Sequence, residues 1–217
     1  YKMDKYQIAI VIPAFNEEAT IFNVVQSVKK YGAVIVVDDA STDETKKIAK
    51  NAGAIVVSHQ KNKGYDGALN SGFAKADELN YKAIISFDAD GQHGVGSLEV
   101  YVDRLSNGID LVLGVRPEPA RISERLFMYY SRYRYNWDDP LCGMKGYSMA
   151  LYRKQGYFDS RESIGTELAA YGLENNTAYV QVHIDIAERQ DKPRFSSVLR
   201  SNLKIMKALF DLIVKGS

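Results

Sequence analysis

The chain of 217 residues is short of several things that would each have pointed to a class of protein. Cys142 is its single cysteine, so no internal disulfide is possible and the composition fits a reducing compartment. Lys and Arg number 28 against 27 Asp and Glu, a formal net charge of +1. That balance argues against a nucleic-acid partner and requires any cationic site to be local. No apolar run is long enough to cross a bilayer, and no stretch reads as a signal peptide. Internal repeats and low-complexity linkers are missing too, so the expectation is one domain over residues 1–217. With 46% apolar and 25% charged residues, the composition is that of an ordinary globular protein able to bury a full core.

Two phosphate-binding signatures are also absent. Asn62-Lys-Gly-Tyr-Asp-Gly-Ala-Leu-Asn-Ser-Gly72 has the wrong glycine and lysine spacing for a P-loop, and no G-x-G-x-x-G follows a strand. This segment can still wrap a pyrophosphate with backbone N–H groups and Lys63, or form a tight turn into a helix.

What is present is an alternation of short β-branched runs with helical patterns. Ile8 to Ile12 reads as a strand buried inside a parallel sheet, and Val34 to Val37, Ile55 to Val57, Ala83 to Phe87 and Leu111 to Val115 continue the series of strands. Ile21, Val24, Val25 and Val28 recur at helical spacing, as do Leu98, Val102 and Leu105 ahead of Asn107-Gly108. Ser41 followed by Glu44 reads as a capping box opening a helix that stops near Gly53. Repeated strand–helix units predict an α/β fold, a doubly wound and mostly parallel sheet, with ligands at the carboxyl ends of its strands.

The acids stand at those ends. Asp38-Asp39 closes the second strand, where a carboxylate can accept from a base or a ribose hydroxyl; Asp39 and Ser41 can equally cap the next helix. Asp88-Ala-Asp90 follows an apolar strand, so its two carboxylates leave the strand end in the same direction. Unpaired they repel, and a divalent cation removes the conflict. Oxygen ligands favour Mg²⁺ or Mn²⁺, shared with substrate phosphates, and Gln92 can complete the shell.

Four segments in order, Ile12-Pro-Ala-Phe-Asn-Glu-Glu18, Val37-Asp-Asp-Ala-Ser-Thr-Asp43, Asn62-Lys-Gly64 with Ala68-Leu-Asn-Ser-Gly72, and Asp88-Ala-Asp-Gly-Gln-His93, resemble the family 2 glycosyltransferases with the GT-A fold. The resemblance covers the first half of the chain. It implies a nucleotide-sugar half over 6–115, with Pro13, Ala14, Phe15 and Glu17 around a UDP- or GDP-sugar, Asp39 on the base and Asp88 on the ribose or donor. It makes Asp90, with Gln92, the ligand of a metal bridging the diphosphate, and it implies inversion at the anomeric carbon.

For the acceptor half, 116–198, Asp138-Asp-Pro-Leu-Cys-Gly-Met-Lys-Gly-Tyr147 resembles a segment of the polyprenyl-phosphate sugar transferases, the dolichyl-phosphate mannose synthase-like branch. That branch implies a lipid-phosphate or glycan acceptor, with Lys145, Arg189 and Arg194 near phosphates. Its next residues after the histidine are Asp-Pro, against Gly94-Val95 here, and it carries an arginine in place of Lys145. Asp139 is a candidate general base and Glu167 its competitor; Glu167 is also a helix-start acid favoured by the helix dipole. Cys142 reads as a packed residue, and His59 and His183 as structural.

The closing segment, 199–217, is amphipathic. Leu199, Leu203, Met206, Phe210, Ile213 and Val214 share one face, broadened by Ile205, Leu209 and Leu212. Such a helix suits a membrane interface or packing onto the domain. With the arginine- and tyrosine-rich stretch at 116–137, it predicts peripheral membrane contact at the cytoplasmic face. Two rival readings are a sugar-nucleotide pyrophosphorylase, whose Gly-rich signature after the first strand is replaced here by Pro13-Ala-Phe-Asn-Glu17, and a catalytically silent sugar-nucleotide-binding module.

Overall fold

The computed structural model describes residues 7–90, 94–117, 122–185 and 198–215, with the backbone alone at 198–200 and 215. The alternation in the first half becomes β1 (Ile8–Ala14), α1 (Ile21–Val28), β2 (Ala33–Asp38), α2 (Thr45–Asn51), β3 (Ile55–Ser58), α3 (Gly64–Glu78), β4 (Ala83–Ser86), α4 (Ser97–Ser106) and β5 (Leu111–Val115). Then follow α5 (Ile122–Tyr135), β6 (Lys145–Ser148), α6 (Met149–Gln155), α7 (Glu167–Glu174), β7 (Tyr179–His183) and α8 (Val198–Lys215).

The strands form one sheet in the order β3-β2-β1-β4-β6-β5-β7. All pairings are parallel except those of β6, which runs antiparallel to both β4 and β5. The period of two along each strand splits the apolar residues between two layers. Ile8, Ile10 and Ile12 face α1, α2 and α4, while Ala9 and Val11 face α3 and the helices of the second half. The face read for α1 is the buried one: Ile21, Val24, Val25 and Val28 all point inward. Helix α3 lies directly on the sheet at Gly72, where a Cβ would come within 2.2 Å of Val11 Cγ1.

The capping box is not formed. Helix α2 starts at Thr45, and the side chain of Glu44, its N-cap, makes no capping bond. Asp43 caps instead, accepting from the Thr45 N–H at 3.0 Å, because Ser41 is engaged elsewhere, accepting from the Asn16 N–H at 3.0 Å. The predicted stop holds, with Gly53 at φ +96°.

Parallel pairing brings the ends of β1, β2, β4 and β5 to one edge. Antiparallel β6 brings its beginning there, with Lys145 opposite Ser86. That edge collects Phe15, Asp39, Asp88, Arg116 and Gly143 on successive loops.

Candidate active site

The loops after β1 and β2 are tied into one structure. Asn16 Oδ1 accepts from the Thr42 N–H (2.9 Å), Thr45 Oγ1 accepts from the Glu17 N–H (2.6 Å), and Asp43 Oδ2 accepts from the Glu18 N–H (3.2 Å). The chain turns through left-handed backbone at Asn16 (φ 54°) and Ala40 (φ 65°). Such conformations cost on the order of 1–3 kcal/mol each and persist where surrounding bonds fix them. Ala14 is buried, Pro13 half-buried, and Phe15 is 36% exposed at the mouth. Glu17 points inward, buried, and accepts from the Thr20 hydroxyl at 3.0 Å, so it braces the loop.

Asp39, expected at a base, is 3% exposed and already bonded. Its Oδ1 accepts from the Lys63 N–H (2.8 Å) and from His59 Nδ1 (2.6 Å), and its Oδ2 from the Gly64 N–H (2.8 Å). Those two amides open α3, where Gly64 adopts φ +75°. They are therefore committed to Asp39, and the backbone wrap of a pyrophosphate expected at Lys63-Gly64 is not available from them. The Lys63 side chain is exposed.

Asp88 and Asp90 follow β4, both half-buried. Gly143 lies against Asp88 so closely that a Cβ there would sit 2.3 Å from Oδ2. The contact is held by Ser86, whose hydroxyl donates to the Gly143 carbonyl (2.7 Å) and accepts from the Lys145 N–H (3.1 Å). Burial first, then the charges of Asp88 and Asp66, push the Tyr65 hydroxyl pKa well above its ordinary value.

Behind these acids lies a buried charge cluster. Arg116 grips Asp139 with two parallel bonds, Nε to Oδ2 at 2.7 Å and Nη2 to Oδ1 at 2.9 Å, and its own N–H adds a third at 3.1 Å. Glu124 stands 3.7 Å from the same guanidinium. Lys145 is buried, its Nζ donating to the Cys142 carbonyl at 2.6 Å, so it belongs to the wall of the site. Burial pulls its pKa below the ordinary lysine value, against the Cys142 thiol and the Asp139 and Asp88 charges. The Cys142 thiol is pushed up to about 12, chiefly by burial, and stays a neutral packed group. Asp66, in the first turn of α3, accepts from the Gly165 N–H (2.6 Å) and the Ile164 N–H (3.2 Å). Its pKa is raised to about 6 by burial first and then by Asp159. Between the starts of α3, α5 and α8 opens a cavity of about 280 Å³, walled by Lys63, Tyr65, Asp66, Arg116, Glu124 and Lys204 among others.

A family model described as glycosyl transferase family 2 matches residues 9–158. The chain belongs to that family. It is 43% identical over 118 residues to an uncharacterised protein of Methanocaldococcus jannaschii, covering 53% of this chain and 49% of that one. It is 36% identical over 119 residues to the UDP-N-acetylglucosamine–dolichyl-phosphate N-acetylglucosaminyltransferase of Methanococcus voltae, covering 46% and 47%. The chain thus spans about half the length of these relatives. Among solved structures, glucosyl-3-phosphoglycerate synthase of Mycobacterium tuberculosis, in complex with Mn²⁺, UDP and phosphoglyceric acid, superposes with a TM-score of 0.76 at 21% identity. That match covers 97% of this chain and 78% of the other, and it gives the GT-A fold.

In this family 2 chain Glu167 opens α7, away from the cavity above. It accepts from the Ser160 N–H (2.6 Å) and hydroxyl (2.9 Å), with Arg161 at 3.7 Å. Gln92, Arg189 and Arg194 lie outside the described residues. Three candidate site residues were given no site role by the sequence reading: Arg116, Asp66 and His59, the last read as structural and here bonded to Asp39 and Ser71. Arg116 stood among five arginines in one stretch, and the other two gain meaning from partners remote in sequence. His183, exposed at the end of β7, has no such role.

Proposed function

We propose that this chain transfers a sugar from a nucleoside-diphosphate sugar to an acceptor phosphate, with inversion. The observation that carries the reading is the Asp88–Asp90 pair after β4, with Asp88 against Gly143, at the strand edge where a GT-A fold receives its donor. Among the described residues no group of three or more His, Cys, Asp or Glu is placed to hold a metal. A Mg²⁺ or Mn²⁺ site shared with substrate phosphates asks for one or two carboxylates, and Asp88 and Asp90 meet that requirement. Bound there, the ion would neutralise charge on the departing nucleoside diphosphate.

The choice of a phosphate acceptor rests on the two candidate bases. Asp139 is buried and held by Arg116, and Glu167 is held by Ser160 and Arg161 away from the cavity, so neither is presented to a hydroxyl bound there. A phosphate oxygen is already ionised near neutral pH and needs no base. Asp139 then acts by positioning Arg116, and Lys63 and Lys204, beside Arg116 and the Lys207 paired with Glu162, are the cations on the cavity wall that would meet such an acceptor. The Methanococcus voltae relative is named for transfer to dolichyl phosphate, which favours a lipid-borne phosphate.

A lipid-borne acceptor is met at a membrane surface, and the outer faces of α5 and α8 suit one. Ile122, Leu126, Tyr129 and Tyr133 on α5, and Leu203, Met206, Phe210 and Ile213 on α8, are exposed. The exposed charged residues described on both helices, Arg125, Arg132, Arg134, Lys204 and Lys207, are all basic. No helix among the described residues is long and apolar enough to cross a membrane. Helix α8 also packs inward through Ile205, Ala208, Leu209 and Leu212, and its exposed outer face supports the membrane reading.

The test is calorimetry and thermal shift with nucleotide sugars, with and without Mn²⁺, on wild type and Asp90→Ala. Ligand that binds native protein alone raises the midpoint, by about 2.7 kcal/mol of stability at one hundred times Kd. Metal-dependent binding in wild type and its loss in a folded Asp90→Ala variant are expected. Binding that ignores chelator in both proteins would remove the metal assignment, and binding without transfer to any phosphate acceptor would favour the silent-module reading.

A further inference from the structure

We infer that the donor base is a uracil-type pyrimidine rather than guanine, and that His59 enforces the choice. The inference rests on the nucleotide-sugar reading above and on a count of hydrogen-bond sites at Asp39. An ionised carboxylate offers about four acceptor positions, two on each oxygen. On Asp39, Oδ1 is filled by the Lys63 N–H at 2.8 Å and by His59 Nδ1 at 2.6 Å. Oδ2 carries the Gly64 N–H at 2.8 Å and keeps one position.

The two amides are fixtures of the fold, since they begin α3. His59 is the third donor, held from behind by Ser71, whose Oγ lies 2.8 Å from Nε2. The His59 and Asp39 side chains are each 5% exposed, so water does not compete for this bond. A carboxylate has no proton to give here, which makes Nδ1 the protonated nitrogen. The Asp39 N–H donates to the Ala14 carbonyl at 2.8 Å, so the carboxylate sits beside the chain leaving β1 toward exposed Phe15.

A uracil edge presents one imide N–H, which the remaining Oδ2 position accepts. Guanine presents two parallel donors, N1–H and N2–H, and reads a carboxylate by engaging both oxygens. With Oδ1 full, one guanine donor would be buried against an occupied oxygen and left unpaired. Leaving a buried donor unsatisfied costs about 1–3 kcal/mol, which discriminates by roughly 5- to 150-fold.

The experiment titrates UDP and GDP into the protein with Mn²⁺ by calorimetry, for wild type, His59→Leu and His59→Gln. In wild type UDP is expected to bind at least about fivefold tighter than GDP. His59→Leu frees an Oδ1 position and should narrow that ratio severalfold, whereas His59→Gln keeps an N–H donor and should preserve it. Thermal midpoints establish that each variant is folded, and because the readout is a ratio, a general loosening of the site leaves it unmoved. GDP binding as tightly as UDP would overturn the inference while leaving the nucleotide-sugar reading intact. A ratio unchanged in folded His59→Leu would overturn the part given to His59, and failure of both nucleotides to bind would overturn both readings.

Discussion

The two sides of the site are built by different means. On the side proposed for the donor, short polar side chains bind backbone N–H groups of the neighbouring loop: Asn16 with Thr42, Thr45 with Glu17, Asp39 with Lys63 and Gly64. On the side proposed for the acceptor, whole charges are buried against one another: Arg116 on Asp139, Glu124 beside them, Lys145 within reach of the Asp88 and Asp139 charges. The first arrangement fixes loop shape at small cost per bond. The second holds charge out of water and depends on every partner being present. One side is therefore a stiff mould, and the other a set of balanced charges that substitution or pH can unbalance.

The largest expected effect tests that balance. Arg116→Ala leaves Asp139 buried without its partner and should destabilise the protein by about 3–5 kcal/mol. Chemical denaturation of Arg116→Ala, Asp139→Asn and the double variant reads it. The double variant should be more stable than Arg116→Ala alone; simple additivity would mean the pair is not coupled.

Asp66 comes next. Its folded pKa of about 6 lies above the ordinary aspartate value of 3.8, so its protonated form favours folding. That contribution is fully present below the unfolded value and is lost as pH rises through about 6. At 1.36 kcal/mol for each unit, it amounts to at most about 3 kcal/mol. Unfolding free energies of wild type and Asp66→Asn between pH 4 and 8 should converge or cross by that order. Parallel curves would show that the Gly165 and Ile164 amides keep Asp66 ionised throughout.

Gly143→Ala probes the seam between the two sides. The added methyl meets Asp88, so transfer should fall roughly a hundredfold while the fold survives, as displacement by about 1 Å of a reacting group allows. Single-turnover rates with donor affinity would reveal whether the loss lies in binding or in the chemical step. The smallest effect belongs to the outer helices. Leu126→Ser with Phe210→Ser should weaken sedimentation with anionic vesicles about tenfold without altering turnover on a water-soluble phosphate acceptor. Equal binding to neutral and anionic vesicles would count against the basic residues.

The donor mould was largely legible in the sequence because its bonds join motifs that are themselves contiguous. The strands of the first half, the buried face of α1 and the strand-end acids could all be read from periodicity and order. Asp39 was read as important, but not as a carboxylate already bound by His59 and the start of α3. The acceptor side was far less legible. Asp139 and Lys145 stood out, yet Asp139 is held by Arg116, which lies 23 residues before it, and Lys145 is fixed by burial and its bond to the Cys142 carbonyl. Antiparallel β6 has four residues and no distinct periodicity, and its place between β4 and β5 follows from pairing across the sheet. Local spacing carries no trace of such long-range pairs.

Helix α8 has a consequence for how this chain can change in length. Ser201, Lys204, Ile205 and Lys207 line the cavity, while Leu203, Met206 and Phe210 lie outward between them. Each residue advances an α-helix by about 100°. Inserting a single residue just before Ser201 would therefore swing the lysines off the cavity and press outward residues into the core, whereas inserting seven would restore both faces. The helix is tolerant of substitution on its outer side and intolerant of frame.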